Sequence, residues 1–170
     1  YLEGYLWDNE NAKNAMKKMV KICKKDNQKI AFTLSDLFCV DRHRNSFTEL
    51  IKNDVDILFG NEEEIGAMSE SKSINDIIDY AKSLNITCAI TLAERGSLII
   101  KNNDIIEIPA IDINKVVDTT GAGDLFASGF LYGLSKNKEL EVCGHLASVA
   151  AAEIISHYGA RPLHRLSNLV

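Results

Sequence analysis

Proline and cysteine are scarce in this sequence, and their scarcity narrows the class of protein. With 2 prolines among 170 residues, no low-complexity stretch and no internal repeat, a disordered or collagen-like chain is excluded. The 4 cysteines form no C-x-x-C pair, and none lies near a histidine at metal-ligand spacing. They are interpreted as small core residues in a reducing compartment. Apolar runs of membrane-spanning length are also missing, so we expect a cytoplasmic protein.

Positive charge is in deficit as well. Lys and Arg number 19 against 24 Asp and Glu, which gives a formal net charge of −5. A protein that binds nucleic acid or a membrane surface usually presents a basic face, so both partners are disfavoured. A local phosphate site is still compatible with this balance, because backbone N–H groups can build one without net positive charge.

Short β-branched segments alternate with helical ones along the whole chain. Apolar residues at 3- and 4-residue spacing predict helices between the predicted strands, for example from Asn11 to Lys25. Two further segments around Asn102-Asn103-Asp104 predict a hairpin. The buried strands are predicted at 30–34, 55–59 and 86–91. This order predicts a single α/β domain with helices on both faces of a parallel sheet.

The sequence starts at Tyr1 without a methionine, and Tyr1 to Leu6 already resembles a strand that ends in a loop. A core strand at the first residue suggests that part of the fold precedes it. We therefore expect the chain to be a piece of a longer protein.

The strongest motif lies at Asp118 to Asp124, which reads Asp-Thr-Thr-Gly-Ala-Gly-Asp before an apolar helical pattern. Gly121 and Gly123 allow close approach of an anion to the backbone, and the following helix offers unpaired N–H groups and its positive dipole end. Asp124 at this position is suited to accept a proton from a hydroxyl that attacks a phosphoryl group. The alternative is a glycine-rich turn with an aspartate cap.

This string resembles the C-terminal signature of the ribokinase-like (PfkB) family of carbohydrate and nucleoside kinases. No Walker A motif occurs, which disfavours a P-loop kinase. The resemblance implies a three-layer αβα fold with a mostly parallel central sheet, incomplete at its N-terminus. It also implies phosphoryl transfer from ATP, with Mg²⁺, to a primary hydroxyl. Asp124 would then be the base, with the N–H groups of Gly121, Ala122 and Gly123 stabilising the transferred group.

Further segments follow the order of that family. Asn61 and Glu64 resemble its N-x-x-E motif at a strand end, which implies that they help to place Mg²⁺ and the phosphates, partly through water. Taken alone, an acidic helix start such as this one usually reflects only the helix dipole. The resemblance also implies a monovalent cation such as K⁺ at Asp118 and the carbonyl of Thr120. Without the resemblance, Asp118 would be interpreted as an ordinary turn residue.

The nucleotide would be contacted from two other places. Thr91 to Gly96 matches the loop where the family commonly has T-x-G-x-x-G, with Ala93 in place of the first glycine and Gly96 retained. The alternative is an ordinary turn into the hairpin. Ser148 takes the place, counted back from Gly159, where relatives often carry Asn or His near the base.

Within the family, Phe32 to Phe38 resembles the adenosine kinase branch, and Cys39 to Arg44 is interpreted as a polar, solvent-exposed loop. Residues 1–170 would form the C-terminal nucleotide-binding and catalytic part, inactive alone because the family's acceptor-binding segment has no counterpart here. The predicted acceptor is an adenosine-like nucleoside. A ribose- or fructose-type sugar kinase and a non-catalytic nucleotide-binding fragment are the alternatives, and a homodimer is one assembly that the family allows.

Overall fold

A computed structural model describes residues 1–166, and residues 167–170 of the predicted domain lie outside that description. The chain divides into two compact units. The first comprises Tyr1–Thr91 and Ile100–Ile105, and the second comprises Leu92–Ile99 and the described residues from 106 onward. A six-stranded sheet has its strands in chain order, β1 to β6. The predicted α/β class is confirmed.

The first unit is built on four short parallel strands. They are β1 (Leu2–Glu3), β2 (Ala31–Thr33), β3 (Ile57–Asn61) and β4 (Thr87–Thr91). Phe32 of β2 is in register with Leu2 on one side and with Leu58 on the other, and Leu58 is in register with Cys88. Phe32, Leu58 and Cys88 are completely buried, as expected of parallel strands covered on both faces.

Four helices connect these strands. They are α1 (Glu10–Lys25), α2 (Leu37–Asn53), α3 (Glu62–Ser69) and α4 (Ile74–Ser83), and a 3₁₀ helix covers Gly4–Asp8. The amphipathic pattern from Asn11 to Lys25 therefore predicts α1 correctly. In α1 only Met16 and Val20 are buried, because the lysine-rich side of the helix faces water.

The predicted polar loop from Cys39 to Arg44 is wrong, because these residues are helical. Helix α2 begins at Leu37, and the side chain of Asp36 caps it by accepting a hydrogen bond from the N–H of Cys39 over 2.6 Å. The charges of this segment are also paired: Arg42 makes two hydrogen bonds to Asp8, at 3.0 and 2.7 Å.

A hairpin and two further helices follow β4 along the chain. Strand β5 (Ser97–Lys101) joins β6 (Asp104–Ile108) through Asn102, whose left-handed φ of 56° suits the tight turn. Helices α5 (Ala122–Ser135) and α6 (Leu140–Ile155) pack closely. A Cβ on Gly129 would lie 2.5 Å from the carbonyl oxygen of Leu146, so this contact depends on glycine.

The cysteines are free thiols, as predicted. Cys39, Cys88 and Cys143 are buried, and Cys23 is half-buried. Burial raises the pKa of the Cys88 thiol to about 12, which keeps it protonated and unreactive at neutral pH. Across residues 1–166, none of the helices combines the length and the apolar character that a membrane span requires.

Candidate active site

The loop before α5 has the conformation expected of a backbone anion site. Gly121 is the N-cap residue with a left-handed φ of 82°, and its carbonyl accepts the first helical hydrogen bond from Leu125. The N–H of Ala122 donates to the carbonyl of Thr119 over 3.1 Å. The N–H groups of Gly121, Gly123 and Asp124 make no hydrogen bond within residues 1–166. The start of α5 therefore has unpaired donors and the positive end of the helix dipole.

Different reasons account for the presence of glycine at the two glycine positions of the loop. A Cβ on Gly121 would lie 3.2 Å from the Cβ of Ala160, and its φ is unfavourable for other residues, so the fold itself requires glycine there. A Cβ on Gly123 would meet no atom within 4 Å. Packing thus leaves Gly123 unexplained, whereas an anion lying against the helix start would explain it.

Asp124 lies in the first turn of α5 and is exposed. Its carboxylate makes no hydrogen bond or ion pair with any other described residue. An acid in a first turn is stabilised by the helix dipole. It is not a cap, however, because Gly121 occupies the N-cap position and no side chain caps α5. The carboxylate is therefore free to accept a proton.

Asp118 and Thr120 lie together at the start of the same loop. Oδ1 of Asp118 accepts hydrogen bonds from the amide and the hydroxyl of Thr120, at 2.9 and 2.7 Å. Oδ2 accepts one from the amide of Gly159 at 3.1 Å. These hydrogen bonds, the Thr120 hydroxyl first, hold the pKa of Asp118 below its usual range. The structure thus brings Asp118, Thr120 and Gly159 together.

Asn61 and Glu64 form a capping box at the start of α3. The side chain of Asn61 accepts from the amide of Glu64 at 2.8 Å, and Glu64 accepts from the Asn61 amide at 3.0 Å. The Asn61 side-chain amide also donates to Glu64 at 2.8 Å. The two residues therefore have a structural role in ending β3 and starting α3.

Glu64 is also buried, with only 7% of its surface exposed. Burial raises the pKa of its carboxyl, and the neighbouring charges of Asp36 and Glu63 raise it further against the opposing hydrogen bond from Asn61. A capping glutamate on a helix surface needs no such burial. Each carboxylate oxygen retains a second lone pair, so Glu64 can still accept a hydrogen bond from a water molecule.

Among residues 1–166, no group of three or more His, Cys, Asp or Glu side chains is arranged to hold a metal ion. The donor set of Asn61 and Glu64 fits a Mg²⁺ ion that keeps its waters, since that ion prefers oxygen ligands and dehydrates reluctantly. Similarly, the Thr120 carbonyl accepts no backbone hydrogen bond among the described residues and is available to a monovalent cation.

The nucleotide-loop candidates lie at a tight turn. Thr91 ends β4, and the chain then forms a short 3₁₀ turn in which Leu92 donates to the carbonyl of Gly96 over 2.8 Å. Gly96 has φ 88°, and any Cβ there would overlap the carbonyl of Ile108. Ala93 also has a left-handed φ of 54°, a backbone conformation that favours glycine.

Ser148 lies on α6 and is only 8% exposed. It precedes the end of that helix by about 10 Å, from a rise of about 1.5 Å per residue. The proposed contact of Ser148 with a base stays a prediction.

Two contacts at this site were not predicted from the sequence. Glu153 is buried and accepts hydrogen bonds from Leu163 and His164, and Gly159 donates to Asp118. The signal for Glu153 is present in the sequence: it is a single acid in the apolar run from Ala150 to Ile155. A charge at such a position is expected to have specific partners.

The α/β fold is ribokinase-like, as its similarity to solved structures of sugar and adenosine kinases shows. The family described as pfkB family carbohydrate kinase matches residues 1–165, and the chain belongs to it. The family resemblance that was inferred from the motif at Asp118 to Asp124 is confirmed. Kinases of this family use ATP with a divalent metal ion.

Two solved structures are similar over nearly the whole chain. The probable sugar kinase of Rhizobium etli is 41% identical with a TM-score of 0.95, covering 98% of this chain and 51% of its own. The adenosine kinase of Sinorhizobium meliloti is 39% identical, with the same TM-score and the same coverage of both chains. A nucleoside kinase of Methanocaldococcus jannaschii is 33% identical over 113 residues, which are 66% of this chain and 36% of the relative.

The chain thus spans about half the length of the solved structures that it matches. Kinase ancestry and fold are established by these comparisons, whereas the acceptor of the phosphoryl group is not.

Proposed function

We propose that these residues form the nucleotide-binding and catalytic part of a kinase that transfers the γ-phosphoryl group of ATP to a primary hydroxyl of an adenosine-like nucleoside. The observation that carries the proposal is the exposed carboxylate of Asp124, which has no partner among residues 1–166 and lies beside N–H donors that are unpaired among the same residues. A negative side chain at an anion site is unfavourable unless it has a task. Accepting the proton of the attacking hydroxyl is such a task.

The backbone would bind the transferred group. In the part of the chain that the structure describes, the N–H groups of Gly121, Gly123 and Asp124 have no hydrogen-bond partner, and the start of α5 orients them. Donors fixed in this way stabilise the negative charge of the transition state without having to reorganise during the reaction. The N–H of Ala122 is not available to the transferred group, because it already donates to the carbonyl of Thr119.

The ions and the nucleotide are assigned on the family pattern. A bound Mg²⁺ ion would neutralise charge on the phosphates, and Asn61 and Glu64 would hold its water ligands. Asp118 and the carbonyl of Thr120 would hold a K⁺ ion. The nucleotide would lie along Thr91, Ala93 and Gly96, with Ser148 near its base. The loop assignment rests on the resemblance, because the nearby carbonyl of Ile108 already requires glycine at position 96 and Ala93 carries a Cβ.

A sugar is the second candidate for the acceptor. The probable sugar kinase of Rhizobium etli is as similar to this chain as the adenosine kinase of Sinorhizobium meliloti. Both acceptors carry a primary hydroxyl, and Asp124 could deprotonate either. The proposed reaction takes place in the cytoplasm, and its partners are small molecules.

One experiment tests both the reaction and the acceptor. The enzyme that contains these residues, at its full native length, is assayed with ATP and Mg²⁺ on adenosine, ribose and fructose. We expect adenosine to be phosphorylated fastest. Asp124→Asn should lower kcat by about 10²–10⁴-fold, the usual worth of a general base, and leave ATP affinity within a few fold.

The matched control is Asp112→Asn, another exposed aspartate, which should retain full activity. Near wild-type turnover of the Asp124 variant would refute the assignment of the base. Faster turnover of ribose or fructose would replace the nucleoside by a sugar. The 170 residues alone should phosphorylate nothing, because positioning the acceptor accounts for roughly 7–11 kcal/mol of such barriers.

A further inference from the structure

Glu153 is a buried acid near the C-terminal end of α6. Its side chain is 5% exposed, and the helix ends at Ile155, two residues later. A carboxylate at this position lowers the stability of the fold for two reasons. It loses its hydration, and the negative end of the helix dipole repels it. A residue retained at such a position needs compensation from specific donors.

Those donors come from the segment that follows the helix. Oε1 of Glu153 accepts from the amide of Leu163 at 2.8 Å and from the amide of His164 at 3.0 Å, with the His164 ring at 3.2 Å. The ring of His157 lies at ion-pair distance, 3.3 Å from Oε2. Burial alone would raise the pKa of this carboxyl, but these contacts hold it below its usual range. Glu153 is therefore charged at neutral pH.

The residues from His157 to His164, here called the C-terminal segment, reach the anion-binding loop at two points. The amide of Gly159 donates to Asp118 at 3.1 Å. Ala160 lies against Gly121, where an added Cβ would come within 3.2 Å of it. The C-terminal segment therefore supports both the beginning of the loop and the N-cap residue of α5. Glu153 holds the far end of the C-terminal segment.

We propose that Glu153 is a positioning residue for the proposed phosphoryl-transfer site. It holds the C-terminal segment so that Gly159 and Ala160 set the conformation of the loop from Asp118 to Asp124. It does not contact the reacting groups itself. This inference rests on the proposed function, since the loop is taken to bind the transferred phosphoryl group.

The test uses Glu153→Gln in the enzyme at its full native length. The variant keeps the size of the side chain but loses the negative charge that accepts hydrogen bonds from two backbone amides. Glu141→Gln is the matched control, because Glu141 is an exposed glutamate on the same helix. Leu163→Pro removes one of the donors without changing Glu153, and it replaces the first variant if that one does not fold.

We expect Glu153→Gln to accelerate amide hydrogen exchange about tenfold or more, not only at Leu163 and His164 but also at Gly159. At a temperature where the variant is folded, kcat should fall about tenfold, equivalent to about 1.4 kcal/mol, while KM for the acceptor stays within a few fold. Glu141→Gln should change neither readout.

Faster exchange at Leu163 and His164 with unchanged exchange at Gly159 would overturn the proposal, since Glu153 would then only stabilise the helix end. Unchanged kcat in a folded variant would overturn it as well. If the unmodified enzyme phosphorylates no acceptor, the proposed function fails. The exchange at Gly159 then still decides whether Glu153 positions the loop.

Discussion

The amide of Gly159 donates a hydrogen bond to the carboxylate of Asp118 over 3.1 Å, across 41 residues of sequence. This bond joins the turn after α6 to the loop before α5, and the same carboxylate binds Thr120. Asp118 therefore has a structural role whether or not a cation is bound. That role has a consequence for stability that depends on pH.

Replacing Asp118 by Asn should destabilise the protein at neutral pH but not in acid. The hydrogen bonds from Thr120 and Gly159 lower the pKa of Asp118 in the folded state. A carboxyl of this kind stabilises the fold above its unfolded pKa, about 3.9, and this stabilisation is lost as the pH falls through the lower folded value. The advantage of the unmodified protein should thus be complete at pH 7 and disappear in strong acid.

Urea unfolding at several pH values measures this difference, with Asp112→Asn as the control. A difference between the unmodified protein and Asp118→Asn that stays constant from neutral pH into strong acid would contradict the prediction.

Gly123→Val should impair nucleotide binding while leaving the fold intact. An added side chain at Gly123 meets no neighbour within 4 Å, and its φ is not in the left-handed region. The new methyl groups would occupy the space where an anion approaches the start of α5. We expect the affinity for ATP, measured by calorimetry, to fall about tenfold or more, equivalent to about 1.4 kcal/mol.

Gly129→Val on the same helix is the comparison. Its Cβ would lie 2.5 Å from the Leu146 carbonyl and 2.8 Å from the Ala147 Cα, so it should lower the melting temperature strongly. Tight ATP binding by Gly123→Val would show that the phosphates are bound elsewhere.

Ala93→Gly should stabilise the protein. Ala93 has φ 54°, a conformation that costs a residue with a Cβ roughly 1–2 kcal/mol. Glycine removes this cost but adds roughly 0.5–1 kcal/mol of backbone entropy in the unfolded state. The net gain should be about 0.5–1 kcal/mol, a small rise in melting temperature.

The opposite result is expected for Ala15→Gly in α1, where glycine costs about 1 kcal/mol in a helix interior. A loss of stability in both variants would mean that the left-handed conformation of Ala93 carries no strain.

Local patterns in the sequence were sufficient for helix α1 and for most of the sheet. The amphipathic spacing predicts α1, and the asparagine pair at 102–103 predicts the hairpin. The beginning of α2 was missed because Arg42 and its polar neighbours look like a loop. Their helix depends on the Asp36 cap and on the distant partner Asp8, which no local pattern shows.

In the candidate site, too, local patterns are visible in the sequence and distant contacts are not. The glycine spacing and the acid at Asp124 indicate an anion site from sequence alone. The contacts of Glu153 and Gly159 depend on how the chain returns after α6, so they require the structure. For Asn61 and Glu64 the sequence left two interpretations open, and the capping box now shows that at least the structural one is real.

Glu64→Gln separates these two interpretations. Glutamine also completes a capping box, so the start of α3 should be preserved. The pKa of Glu64 is raised in the folded state by burial. An acid of this kind makes the fold less stable as the pH rises from about 4.3, its unfolded value, through the folded value. The glutamine variant lacks this loss, so it should be at least as stable as the unmodified protein at pH 7.

Activity should respond in the opposite direction if Glu64 holds the water ligands of a divalent ion. We expect kcat of Glu64→Gln to fall at least about tenfold, equivalent to about 1.4 kcal/mol, and the concentration of Mg²⁺ needed for half-maximal rate to rise. Glu63→Gln, an exposed neighbour in the same first turn, should leave both values nearly unchanged. A stable Glu64→Gln enzyme with normal kcat and normal Mg²⁺ dependence would reduce Glu64 to a helix cap, because the capping geometry alone would then account for its contacts.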